Sequence, residues 1–181
     1  MRVRFWGTRG SLPKPKQELL RYGGNTSCVQ ITGDDGSLLI LDSGTGIHDL
    51  GLELTAQNNG PIRGHLLITH THWDHIQGFP FFAPLFNPVN SWDLYAPGGM
   101  GQELENILSG QMSYNYFPVT LDELGSNIQF HNLREGRLTI GSIRVSTHFT
   151  NHPAMTLRYR FESGGQVVVY IPDHEPSSLY P

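Results

Sequence analysis

Four side chains that commonly bind metals lie within six positions near the middle of the chain: His70, His72, Asp74 and His75. Side chains of an extended segment alternate, so His70 and His72 project to the same side. Neutral imidazole and carboxylate oxygen are typical ligands of zinc and related divalent ions. Such a cluster is costly to keep together without a partner. The spacing therefore predicts a metal site rather than the alternatives, a solvent-exposed polar turn or histidines that cap a helix.

Strands dominate the elements that must position this cluster. The apolar run 65–68, directly before the histidines, is typical of a buried strand. Other alternating or apolar runs are bounded by turn residues and predict further strands. These strands are predicted at 2–7, 27–32, 37–41, 92–95, 128–133, 138–140, 143–148, 156–161 and 166–171, and helices at 47–57 and 102–108. Strands with helices between them indicate an α+β or layered α/β domain.

Composition narrows the class of protein. A chain of 181 residues favours a single domain spanning 1–181. Only 15% of residues are charged and the formal net charge is −4, which disfavours a nucleic-acid surface without excluding it. No apolar run approaches the roughly 18 residues of a membrane span, so no membrane partner is expected. The single cysteine cannot form an internal disulfide, and we expect a cytoplasmic protein.

The segment HTHWDH at 70–75 matches the His-x-His-x-Asp-His signature of the metallo-β-lactamase superfamily. Three further segments follow the pattern of that superfamily in chain order. LDSGTG at 41–46 resembles the turn that precedes the signature, and NHP at 151–153 resembles the motif of the third histidine. YIPDH at 170–174 resembles the strand whose terminal aspartate bridges two metals. The resemblance covers nearly the whole chain.

Two N-terminal segments resemble one branch of the superfamily. GTRGS at 7–11 and RYGGNTSC at 21–28 look like the phosphodiesterase-type branch. That branch includes cyclic-phosphate phosphodiesterases and relatives of the tRNA 3′-end processing endonuclease. The alternative for both segments is plain turn chemistry, with glycines supplying positive φ angles.

The resemblance implies a layered αββα sandwich with one or two metal ions, zinc or alternatively manganese or iron, at the rim of its sheets. It assigns His70, His72 and His152 to the first ion and Asp74 and His75 to the second, and Asp173 bridges both. A hydroxide held by the metals would attack the substrate, because coordination lowers the pKa of water from roughly 15.7 to about 7. Asp74 is the candidate catalytic residue that orients this water or accepts its proton.

We therefore expect a metal-dependent hydrolase that cleaves a small or cyclic phosphodiester. Two alternatives stay open: hydrolysis of a thioester, lactone or β-lactam, and a non-catalytic metal-binding interaction module. A homo-oligomer is compatible with each. Around the site, we expect Asp42 to support a ligand histidine, and Arg9 is a candidate for clamping phosphate.

Two features of the C-terminal region depart from the superfamily pattern. The final histidine that usually completes the second metal site has no counterpart after His174, which adjoins the bridging aspartate and is expected to point away. The apolar strand VVVY at 167–170 favours burial on both faces. Either earlier helices cover it or the protein continues beyond Pro181. We favour the second interpretation and expect the chain to lack its C-terminal segment.

Overall fold

The structure is a computed structural model that describes residues 1–19, 21–57, 60–98 and 103–176. Its first sheet has six strands in the order of the chain. The first three strands pair antiparallel, and the third to sixth pair parallel. They are β1 (Arg2–Gly7), β2 (Cys28–Thr32), β3 (Leu38–Leu41), β4 (Arg63–Leu67), β5 (Ser91–Pro97) and β6 (Asn127–Leu133).

The second sheet is an antiparallel meander of four strands in the order β10-β9-β8-β7. These strands are β7 (Gly136–Ile140), β8 (Ile143–Phe149), β9 (Leu157–Ser163) and β10 (Gln166–Tyr170). The turn between β9 and β10 contains Gly164 and Gly165 with φ angles of 57° and 77°. A two-residue hairpin turn of this kind needs positive φ at both central residues, which glycine adopts without strain.

Three α-helices connect the strands of the first sheet: α1 (Gly46–Gln57), α2 (Trp73–Ile76) and α3 (Leu104–Gln111). Short 3-10 helices lie at Gln17–Leu19, Phe79–Phe81, Ala83–Phe86 and Leu121–Glu123. Among the described residues, no helix is long and apolar enough to cross a membrane.

Two hydrophobic cores hold these elements in layers. The first lies between the helices and one face of the six-stranded sheet, and the second lies between the two sheets. Neighbouring residues on one strand serve different cores, as Leu66 and Leu67 do on β4. This follows from the alternation of side chains along a strand. Strands β3 and β4 are therefore buried on both faces. Because β4 is held in place on both faces, the position of the segment that follows it is fixed as well.

Strand β10 differs from its prediction, because the sequence favoured burial on both faces. Among the residues that the structure describes, β10 is an edge strand that pairs only with β9. Val168 packs against the second core, whereas Val167 and Val169 are each 50% exposed on the outer face. An apolar run does not distinguish an edge strand from a central one, and here only one face of the run is covered.

The remaining predicted elements are present with small shifts of their ends. The helix predicted at 102–108 runs from Leu104 to Gln111, and its predicted first residue, Gln102, lies outside the described residues. The stretch before the strand predicted at 92–95 contains the 3-10 helices Phe79–Phe81 and Ala83–Phe86. Phe79, Phe82 and Leu85 of this stretch are buried in the first core, which explains its compact form.

Candidate metal centre

Three histidines from two distant segments meet at the rim between the sheets. His70 and His72 follow strand β4, and His152 lies in the loop after β8. Nε2 of His70 lies 3.0 Å from Nδ1 of His72, and that Nδ1 lies 3.1 Å from Nε2 of His152. His70 is 1% exposed. The three ring nitrogens therefore face one another at the position that the sequence predicted for the first metal.

Asp173 joins this group from the segment after β10. Its Oδ2 lies 3.5 Å from Nε2 of His70 and also 3.5 Å from Nε2 of His152. One ligand atom from each of the four residues lies within 4.8 Å of the others. Zinc–nitrogen bonds of about 2.0–2.1 Å around a tetrahedron place neighbouring ligand atoms about 3.3–3.4 Å apart. The observed separations fit that geometry, so these residues can hold a divalent ion.

His75 presents a second place for an ion next to the first. Its Nε2 is buried and has no hydrogen-bond partner among the described residues. That nitrogen lies 3.5 Å from Oδ2 of Asp74 and 3.7 Å from Oδ1 of Asp173. A buried ring nitrogen without a partner is costly unless something binds it. The two oxygens of Asp173 thus face two different sets of ligands, as a bridging carboxylate requires.

The carboxylate of Asp42 positions His75 and the backbone of Thr69 through hydrogen bonds. Asp42 is fully buried at the end of β3, with a φ of 58° that is uncommon outside glycine. Its Oδ2 lies 2.8 Å from Nδ1 of His75 and accepts a hydrogen bond from the hydroxyl of Tyr170 at 2.9 Å. Its Oδ1 accepts one from the backbone N–H of Thr69 at 2.7 Å. Asp42 thus contacts one of the histidines that the sequence predicts as metal ligands.

The N-terminal loop reaches the centre through Asp74. The backbone N–H of Ser11 donates a hydrogen bond of 2.8 Å to Oδ2 of Asp74. Ser11 has a φ of 64°, an unusual value for a residue other than glycine. One residue of the GTRGS segment therefore positions the carboxylate that the sequence singled out as the catalytic candidate. The backbone, not the serine hydroxyl, makes this contact.

The pKa values of two histidines of the site, His70 and His75, are shifted in opposite directions. Burial, together with the neighbouring His75, His72 and His152, lowers the pKa of His70 to about 2. Burial also opposes protonation of His75, but the carboxylates of Asp42, Asp74 and Asp173 outweigh it and raise its pKa. In the absence of metal, His70 is therefore neutral, and its lone pair is available to a metal ion. The carboxylates around His75, in contrast, favour the protonated form of that ring.

Other candidates from the sequence lie outside the centre described above, which consists of His70, His72, Asp74, His75, His152 and Asp173. Nδ1 of His174 accepts a long hydrogen bond from the backbone of Asn151, and Asp173, not His174, faces the histidines. Arg9 lines a separate cleft with Arg21, where its Nε is buried without a hydrogen-bond partner among the described residues.

Three contacts at the centre have no counterpart in the sequence analysis. They are the hydroxyl of Tyr170 on Asp42, the Thr69 hydrogen bonds to the same carboxylate, and the Ser11 N–H on Asp74. Tyr170 is the first residue of the YIPDH segment, and Thr69 directly precedes the HTHWDH segment. Their partners are 128 and 27 residues away, however, and no local pattern indicates such pairings.

The sequence of the chain matches a known domain family over most of its length. The model of the Beta-lactamase superfamily domain matches residues 40–178. The chain belongs to this superfamily, and the predicted resemblance is confirmed.

Comparison with curated proteins identifies related ribonucleases. Ribonuclease Z of Staphylococcus carnosus (strain TM300) is 27% identical over 172 residues, which cover 90% of this chain and 50% of that protein. The chain thus spans about half the length of the relatives it matches.

Solved structures show the same fold. Human tRNase Z, short form, superimposes with a TM-score of 0.62 at 18% identity, covering 92% of this chain and 67% of that one. The metallo-beta-lactamase fold protein YhfI from Bacillus subtilis gives a TM-score of 0.61 at 17% identity, covering 93% and 60%. The predicted metallo-β-lactamase-like α+β fold is confirmed. Within the described residues, the buried hydrophobic side chains of the three α-helices all belong to the first core, so the helices form one outer layer.

Proposed function

We propose that the protein is a metal-dependent hydrolase of phosphodiesters that uses two divalent ions, zinc by preference. The observation that carries the proposal is the convergence of five candidate ligand side chains on Asp173, whose two oxygens face different neighbours. His70, His72 and His152 form the first group together with Asp173, and Asp74 and His75 form the second group, which also includes Asp173. A pair of divalent ions, when bound, lowers the pKa of water and neutralises charge that develops on phosphate oxygens.

The donor set favours zinc. Borderline-soft imidazole nitrogens make up three of the four ligand atoms of the first group, and Mg²⁺ and Ca²⁺ prefer sites made only of oxygen. The second group has one imidazole and two carboxylates, which also suit manganese or iron. We therefore expect zinc in the first position and a less selective second position.

Asp74 is the residue that we assign to proton transfer. Its Oδ2 is fixed by the Ser11 N–H and lies 3.5 Å from Nε2 of His75, so it borders the second position on the side of the N-terminal loop. A carboxylate held in this way can orient an attacking water and accept its proton. His75 is in turn oriented by Asp42, which directs Nε2 of the ring toward the centre.

We propose phosphodiesters as substrates because a ribonuclease is among the relatives of this chain. The protein from Staphylococcus carnosus is a ribonuclease, an enzyme that acts on phosphodiester bonds, and its match covers 90% of this chain. A small phosphodiester suits this chain better than a long nucleic acid, because only 12 Lys and Arg residues face 16 Asp and Glu residues. We place the enzyme in the cytoplasm, in keeping with its single cysteine.

The test compares three substrate classes with one preparation. The protein is freed of metal, loaded with zinc or manganese, and assayed with bis-p-nitrophenyl phosphate, a thioester and nitrocefin. We expect metal-dependent release of p-nitrophenol and little turnover of the other two substrates. Preferential hydrolysis of the thioester or nitrocefin would reassign the reaction. Tight metal binding without turnover of any of them would contradict the proposal and favour a metal-binding interaction module.

A further inference from the structure

Two tyrosines of the second sheet reach across the core between the sheets and contact residues directly after β3 and β4. Tyr159 on β9 and Tyr170 on β10 are direct partners in the antiparallel pairing of these strands. The hydroxyl of Tyr159 donates a hydrogen bond of 2.8 Å to the backbone carbonyl of Ile68. The hydroxyl of Tyr170 donates one of 2.9 Å to Oδ2 of Asp42. The proposed function has so far assigned no role to either hydroxyl.

The hydroxyl of Tyr170 shares its acceptor with His75. Oδ2 of Asp42 also lies 2.8 Å from Nδ1 of His75, and Asp42 is fully buried. An ionised carboxylate only accepts hydrogen bonds, and each of its oxygens has room for two donors. A buried acceptor loses free energy when one of its donors is removed. The Tyr170 hydroxyl therefore helps to hold this carboxylate in the orientation that faces His75.

Tyr170 also stands directly before the segment that carries Asp173. Only two residues separate them in sequence. Consecutive Cα atoms are about 3.8 Å apart, so the Cα atoms of Tyr170 and Asp173 are at most about 11 Å apart. One of the intervening residues is Pro172, whose ring restricts φ to about −65°. The position of Tyr170 thus limits where the carboxylate of Asp173 can lie.

The segment after β10 has contacts of a different kind further along. The hydroxyl of Thr150 donates a hydrogen bond of 3.1 Å to the carbonyl of Asp173, and the N–H of Glu175 donates one of 2.8 Å to the carbonyl of Asn151. These contacts connect the segment to the loop after β8, which belongs to the second sheet. The Tyr170 hydroxyl connects the start of the same segment to the first sheet, which carries Asp42.

We propose that Tyr170 is a positioning residue that sets the distance between His75 and Asp173, two candidate ligands of the second ion. The inference rests on the proposed two-ion centre. The hydroxyl holds Asp42 against His75, and the short segment that follows Tyr170 holds Asp173 on the other side of the same position. Loss of the hydroxyl would therefore loosen both ligands at once. The first position retains its three histidines and should be affected less.

The experiment compares the stepwise zinc affinities of the wild type and Tyr170→Phe, measured by competition with a chelating dye. Loss of a group that orients a metal ligand typically costs about 10- to 100-fold in metal affinity. We expect Tyr170→Phe to bind the second zinc at least about tenfold more weakly, with little change for the first. Denaturant unfolding of the metal-free proteins shows whether each variant is folded.

Tyr159→Phe is the matched control, because it removes the hydroxyl from the directly paired tyrosine. The backbone near its acceptor keeps other hydrogen bonds, from the N–H of Ile68 to the carbonyl of Tyr95 at 2.7 Å and from the N–H of Leu157 to the carbonyl of Thr69 at 3.0 Å. We expect both zinc affinities of this control to equal those of the wild type. Equal losses of second-zinc affinity in the two variants would show a general effect of removing a buried hydroxyl and would overturn the role of Tyr170.

A donor at the same position should rescue the second site. Replacing Tyr170 by p-aminophenylalanine puts N–H groups where the hydroxyl was, so we expect the affinity for the second zinc to return toward that of the wild type. A ring that served only to fill space would give the same affinity in this protein as in Tyr170→Phe, and that result would contradict the proposal.

A measurement on the wild type alone covers the case in which Tyr170→Phe does not fold. In protein with ¹³C-labelled tyrosine rings, the Tyr170 signal should shift when the second zinc binds, because an ion on His75 strengthens the contact of that ring with Asp42. A Tyr170 signal that stays unchanged through both additions of zinc would overturn the proposal.

The two proposals fail in different ways. A wild type that binds two zinc ions and hydrolyses bis-p-nitrophenyl phosphate, with an unaltered second-zinc affinity in Tyr170→Phe, would remove only the role of Tyr170. A wild type that binds a single zinc ion would overturn the two-ion centre, and the role of Tyr170 with it.

Discussion

The carboxylate of Asp42 lies 2.8 Å from Nδ1 of His75, although 33 residues separate them in sequence. Both residues are buried, and the contact directs the other nitrogen of His75 toward Asp74 and Asp173. A carboxylate on one ring nitrogen keeps the proton there and leaves the other nitrogen free to bind an ion. Asp42 thereby connects the end of β3 to the second position of the proposed metal centre.

Replacing Asp42 should weaken that second position. In Asp42→Asn the amide N–H₂ group can face Nδ1 of His75, which shifts the ring proton to Nε2 and removes the lone pair needed for metal. We expect the affinity for the second zinc to fall by about 10- to 100-fold, measured by competition with a chelating dye. The control is Asp49→Asn, which alters an exposed carboxylate 3.2 Å from His48. Equal second-site affinities in both variants would count against the role of Asp42.

Removing one histidine of the first group should empty the first position. Nδ1 of His72 lies within 3.1 Å of both the His70 and the His152 ligand nitrogens, so it is central to the group. We expect wild-type protein purified without chelator to contain at least about one metal ion per chain and His72→Ala to contain far less. Elemental analysis measures both. The exposed His48 provides the control His48→Ala, and unchanged metal content in His72→Ala would refute the assignment.

Asp74 should matter more for turnover than for the first metal. Asp74→Asn keeps an oxygen for the Ser11 N–H but loses the basic carboxylate. We expect the rate of phosphodiester hydrolysis to fall by a factor on the order of 10² or more while one metal per chain is retained. Metal content and rate are measured on the same sample. A fully active Asp74→Asn protein would show that another group carries the proton.

The metal-free protein should lose stability in acid because of His70. Its folded pKa of about 2 lies below the ordinary value of 6.5, so between these values the unfolded chain binds a proton that the folded chain does not. Stability from this group is complete above about pH 6.5 and falls as the pH decreases, by at most about 1.4 kcal/mol per pH unit. His75 acts in the opposite direction, because its pKa is raised.

Denaturant unfolding of the metal-free protein between pH 5 and pH 7 measures this effect. The loss of stability toward pH 5 should be smaller in His70→Asn than in wild type, because the variant lacks the titrating ring. His48→Asn, at an exposed position, should follow wild type. Identical pH dependence in wild type and His70→Asn would contradict the prediction.

Local patterns predicted most of the fold and the core of the site. The segment 70–75 was found from its spacing, because the ligands follow one strand and need no long-range information. His152 and Asp173 were assigned through the family resemblance, and the structure brings both to the same centre.

The rest depended on tertiary packing. Nothing near Tyr170 indicates that its hydroxyl reaches a carboxylate 128 residues away, and nothing near Ser11 indicates that its backbone meets Asp74. The exposure of Val167 and Val169 was missed because apolar character does not reveal which face of a strand another layer covers.

The metal centre itself is tested most directly by anomalous X-ray scattering at the zinc edge from crystals of the zinc-loaded protein. We expect two peaks on either side of Asp173, one among His70, His72 and His152 and the other beside Asp74 and His75. The absence of zinc between these side chains, or strong peaks only at other histidines such as His48 or His131, would contradict this expectation.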